Sequence, residues 1–73
     1  MTGRNEYGSL AAAGRAHARL QDDAFMDYDH HIWSRASGRV LAANWRDYGR
    51  QMWVAGHITR TVSKGRIVYG VGS

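Results

Sequence analysis

The apolar positions of this chain follow two rhythms, a helical one up to residue 55 and a strand-like one after residue 56. Leu10, Ala13, His17, Leu20 and Ala24 recur every three or four places behind Ser9, with Arg15 and Arg19 on the opposite side. Such spacing lines one face of a helix, and a serine side chain can cap the first turn. A helix is predicted over 9–21. Phe25, Tyr28, Ile32 and Ala36 keep the period behind Asp22 and Asp23, whose charges suit a helix start. Arg35 and Ser37-Gly38 suit its end, so a second helix is predicted over 22–37. Leu41, Trp45, Tyr48, Met52 and Ala55 form the clearest stripe, falling within about 80° of arc. They predict a third helix over 40–55, weakened by Gly49, which costs up to ~1 kcal/mol relative to alanine.

The pattern then changes. Residues 57–62 and 66–71 are rich in β-branched and aromatic side chains, with Ser63-Lys64-Gly65 between them. This reads as a hairpin that must pack on a helix to be stable. Arg60 shares a face with Ile58 and Val62, so the first strand is expected to be partly buried. Residues 1–8 carry two glycines and little apolar content, as a flexible arm would. The expected fold is α+β: a small single domain over 9–73, two or three helices followed by a C-terminal β-hairpin.

Composition narrows the chemistry. With 73 residues and no cysteine, the chain has a small core and uses no disulfide, thiolate metal site or cysteine nucleophile. No apolar run approaches the ~20 residues of a membrane span, and no charged-then-apolar leader opens the chain. A soluble, intracellular monomer is expected. The net charge is +4, and nine of the ten basic residues are arginine, the side chain suited to forked contacts with carboxylate or phosphate. The charge is segregated. Asp22, Asp23, Asp27 and Asp29 cluster, whereas residues 30–73 set six arginines and Lys64 against Asp47 alone. Acidic protein and nucleic acid are both reasonable partners for the basic half.

Three groups of residues carry candidate chemistry. Arg39, Arg46 and Arg50 fall opposite the third apolar stripe with Trp53 beside them. They form either a solvated face or a binding face, since Trp and Arg dominate binding hot spots; Trp53 could equally pack under the hairpin as core. Arg60, Lys64 and Arg66 make a basic hairpin, either a polar turn or a contact to phosphates. Glu6 and Tyr7 sit in the arm, where a single aromatic can dock. Asp29-His30-His31 invites a phosphoesterase reading, and His30 or His31 with Asn44 and His57 a nuclease reading. Both need further ligands on a larger scaffold. Asp27 and His31 alone are two ligands, too few for a metal site. His17 is expected to be a partly buried histidine, and Phe25, Tyr28, Trp33, Trp45 and Tyr48 are expected to be core. A non-enzymatic binding protein without cofactor or metal is expected.

The chain length, the opening Met1-Thr-Gly-Arg-Asn-Glu-Tyr7 and the bias of arginine over lysine resemble the small transcription regulators of lytic Xanthomonas phages. The resemblance implies a phage protein in the bacterial host cytoplasm that binds host RNA polymerase, displaces the primary sigma factor and promotes antitermination. It implies contacts with the β′ N-terminal region and the β flap near the RNA exit channel, together with the elongation factor NusA and possible proximity to nascent RNA. On that view, the residue pattern assigns docking to Glu6, Tyr7, Arg39, Arg46, Arg50 and Trp53, and proximity to nucleic acid to Arg60, Lys64 and Arg66. The segment Leu41 to Tyr48 also resembles the C-terminal helix of ribosome modulation factors, without the proline-containing turn those carry. The alternative is therefore an autonomous nucleic-acid- or ribosome-binding protein.

Overall fold

The computed structural model describes residues 5–72. Strand β1 (Glu6–Tyr7) leads into helix α1 (Leu10–Gln21), followed by β2 (Ala24–Met26), β3 (Ile32–Ser34), β4 (Val40–Ala42), helix α2 (Trp45–Val54), and the hairpin β5 (Ile58–Ser63) and β6 (Arg66–Val71). The strands form two antiparallel sheets, β1-β6-β5 and the meander β2-β3-β4. The fold is the small α+β architecture expected, with two helices and a terminal strand pair.

Ser9 caps α1 as its position predicts, its Oγ accepting the Ala12 N–H at 3.1 Å. The helix ends because Asp22 turns into the left-handed region, φ 51°, and donates its N–H to the Ala18 carbonyl. Asp22 and Asp23 therefore stop the first helix; they do not start a second. Residues 22–37, expected to be helical, form β2, β3 and the turns around them. The reason is local. The Asp27 carboxylate accepts the N–H groups of Asp29 and His31 at 2.9 Å each and the Trp33 indole N–H at 2.6 Å. An aspartate that bonds its own downstream backbone offers the chain a turn in place of a helix, and His30 takes φ 66° within it.

Helix α2 is shorter than its stripe predicts. Asn44 caps it by accepting the Asp47 N–H at 2.8 Å, so Leu41 lies before it, on β4. There the register jumps from Ile32↔Ala42 to Trp33↔Val40, leaving Leu41 as the extra residue of a bulge. Its carbonyl accepts the Gln51 Nε2–H at 2.6 Å, tying the strand to α2.

The two helices cross at Gly14 and Gly49. A Cβ on Gly49 would overlap the Leu10 carbonyl, and one on Gly14 would stand 2.9 Å from the Gly49 nitrogen and the Trp45 oxygen. The glycine that weakens the third stripe as a helix is thus the one that lets the helices meet backbone to backbone. Two small clusters follow from that crossing. Ala18, Ala24, Ile32, Ala42 and Tyr48 pack toward the meander, while Ala13, Ala16, Ile58 and Val71 pack toward the hairpin sheet; Met52 borders both. Tyr48 is buried and Trp33 and Trp45 are half-buried, but Phe25 is exposed and Tyr28 fully so. The expectation that all five aromatics are core is corrected for Phe25 and Tyr28.

The hairpin matches its prediction. Lys64 and Gly65 take φ 53° and 77° between Ser63 and Arg66, the two positive values that a two-residue turn needs to match strand twist. Ile58 and Val71 are buried at its base, while Arg60 and Val62 are exposed. Glu6 and Tyr7, expected in a flexible arm, are strand β1, paired with Gly70 and Tyr69. Residues 1–4 of that arm lie outside the described residues.

Candidate interface

Tyr69, on β6, is the centre around which several predicted residues meet. The register sets Tyr7 beside it on β1 and Arg60 beside it on β5. Trp53, from the last turn of α2, meets the Tyr69 ring edge-on at 6.4 Å with an interplanar angle of 75°. Edge-to-face packing of this kind adds roughly 0.5–1.5 kcal/mol beyond area burial. The Arg60 guanidinium lies over Trp53, 5.3 Å from the ring centroid, where the ring's negative face attracts a cation. Arg46, two turns before Trp53 on α2, lines a shallow depression of about 330 Å³ with Ser9, Leu10 and Tyr69.

The result is a surface of three half-buried aromatic residues, Tyr7, Trp53 and Tyr69, bordered by exposed Arg46 and Arg60. Trp53 packs against the core beneath the hairpin and is half-buried, with Arg60 over its ring. The other predicted residues lie elsewhere. Arg39 sits in the β3–β4 connection, so it shares no helix face with Arg46 and Arg50; the three-arginine stripe is corrected to two. Its carbonyl accepts the Ser34 N–H and its own N–H bonds Ser37 Oγ. Arg50 lines a different, open groove of about 610 Å³ with Ala42, Asp47, Gln51 and Val54. Glu6 is exposed and, one residue from Tyr7, points to the other face of the sheet. Lys64 is at the exposed hairpin tip and Arg66 next to it on β6.

Tyr69 is absent from the sequence-level candidates. A two-residue Lys64-Gly65 loop, once assumed, pairs Ser63 with Arg66 and hence Arg60 with Tyr69, so the signal was available in the turn.

Some of the histidines and acids are drawn into the scaffold. Asn44 caps α2, and His57 stacks on His17 with centroids 5.4 Å apart. Ligand atoms of Asp27, Asp29 and His31 lie within 4.8 Å of one another, but both Asp27 oxygens already accept hydrogen bonds. Desolvation pushes the Asp27 carboxyl up; the Trp33 indole, the His31 and Asp29 N–H groups and the His31 ring outweigh it and hold the group below its ordinary value. Tyr48 is pushed upward by burial and by Asp23, whose Oδ1 accepts its hydroxyl at 3.3 Å.

No family model matches this chain, and no curated protein or solved structure matches it significantly. No helix among the described residues is long and apolar enough to cross a membrane.

Proposed function

We propose that this chain is a non-enzymatic docking protein, a phage-encoded transcription regulator that binds host RNA polymerase, displaces the sigma factor and promotes antitermination near the RNA exit channel. The Tyr7–Trp53–Tyr69 surface, bordered by Arg46 and Arg60, is the observation that supports docking. Half-buried aromatics held rigid by packing, with arginines at the rim, are the composition of binding hot spots. Polymerase is chosen as the partner on the resemblance described above.

The second reading is autonomous nucleic-acid binding, favoured by the exposed Arg60, Lys64 and Arg66 on one hairpin. One experiment separates them. The tagged protein is used to capture partners from bacterial lysate with and without nuclease treatment. Recovery of core polymerase depleted of sigma factor, reduced by Arg46→Glu, is expected. Recovery of nucleic acid or ribosomes alone, lost on nuclease treatment and steeply weakened by salt, would replace the polymerase reading with the second.

A further inference from the structure

The β2–β3 turn holds out a fully exposed tyrosine. Tyr28 is 102% exposed, and Met26 beside it is 44% exposed. The turn that carries them is not loose. Besides the three bonds into the Asp27 carboxylate, the Asp27 N–H bonds the His31 carbonyl and the His30 N–H bonds the Asp27 carbonyl, each at 3.1 Å. At the base, Phe25, Trp33 and Val40 stand in one cross-strand row, opposite the buried Ala24, Ile32 and Ala42. Phe25 and Val40 of that row are exposed. The surrounding charge is acidic. Asp27 and Asp29 flank Tyr28, whereas Asp22, ahead of β2, is paired with Arg35 at 3.3 Å, and the Arg35 guanidinium lies over Phe25.

We infer that Tyr28, with Met26 and Asp29, is a second docking point, and that it enters an apolar slot rimmed by arginine or lysine on a protein partner. The hydrogen-bonded turn fixes the backbone that presents Tyr28, so little backbone freedom is lost on docking. The carboxylates of Asp27 and Asp29, which flank Tyr28, favour a basic rim and repel the phosphates of nucleic acid. This surface carries charge opposite to that of the Arg46–Arg60 face, so the two fit different parts of a partner.

The test rests on the polymerase reading, and its outcomes separate the two. Dissociation constants for bacterial core polymerase are measured for the full chain, Tyr28→Ala, Tyr28→Phe, Asp29→Lys and Arg46→Glu, with circular dichroism confirming that each is folded. Weakening of about tenfold or more is expected for Tyr28→Ala, with near-normal binding for Tyr28→Phe. Asp29→Lys should also weaken binding, since it places like charge against a basic rim. Binding of Tyr28→Ala at full strength while Arg46→Glu fails would overturn the second docking point and leave the polymerase reading intact. A full chain that does not bind polymerase would remove that reading and this proposal together. Tyr28-dependent self-association in sedimentation, or Tyr28-dependent binding of naked RNA, would also overturn it by naming a different occupant.

Discussion

Acidifying the solution should loosen this protein through one side chain, His17. The imidazole is 5% exposed, and its Nε2 has no hydrogen-bond partner. It stacks between Tyr48, at 6.2 Å, and His57, at 5.4 Å. Desolvation lowers its pKa from 6.5; Asp23 opposes that shift and His57 adds to it. The sign follows from linkage. The unfolded chain takes up the proton first, so stability is fully present above pH 6.5 and falls as the pH drops below it. One group gives a slope of at most about 1.4 kcal/mol per pH unit, ending at the folded-state pKa. In a domain with only a few kcal/mol to lose, each kcal/mol lowers Tm by roughly 4–8 °C. Urea unfolding followed by tryptophan fluorescence from about pH 8 to pH 5 measures the slope. His17→Phe removes the titrating group and the unpaired nitrogen and should flatten the profile, and its stability at neutral pH should change little or rise. An equal slope in His17→Phe, or wild-type stability that does not fall below pH 6.5, would refute the argument.

Two further perturbations test the scaffold. Gly49→Ala should destabilise despite its helix propensity, because a Cβ there meets the Leu10 carbonyl. Overpacking costs roughly 1–3 kcal/mol, against a propensity gain of about 1 kcal/mol. Gly8→Ala, with nothing within 4 Å of its added Cβ, is the control, and thermal unfolding should separate the two by several degrees. Asp27→Asn should release the Trp33 indole, seen as a shift in tryptophan emission, and lower Tm. The carboxyl of Asp27 is held below its ordinary 3.8, so the stability it contributes is present above that value and lost as pH falls below it. The variant should lose that acid-side dependence.

The elements legible in the sequence were those whose signals were local. Ser9 before an apolar stripe and Lys64-Gly65 between two β-rich runs need no distant partner, and α1 and the hairpin stand where they were expected. Residues 22–37 were misread because Phe25, Tyr28, Ile32 and Ala36 match a helical period by coincidence. What decides that segment is the carboxylate of Asp27, with three donors arranged around it, and a periodicity count does not see a side chain bonding its own backbone. Gly49 failed as a signal in the opposite direction. Read as a weak point in a helix, it is the point of closest helix–helix approach, a property of two elements together.

The interface shows the same division. Arg46 and Trp53 share one side of α2 because their seven-residue separation is close to two helical turns, and that much was in the spacing. Arg39 looked like part of the set only because the helix was extended back to residue 40; the Asn44 cap removes it. Tyr7 joins because β1 pairs with β6, a contact across most of the chain that leaves no local trace in a two-residue strand. Tyr69 joins through the hairpin register. The aromatic surface is thus assembled from both ends and the middle of the chain. Conversely, Tyr28 was taken as core from a helical stripe and its aromatic bulk, although hydrophobicity alone does not bury a residue. Its full exposure follows from the turn that the Asp27 carboxylate closes, a property of the folded chain.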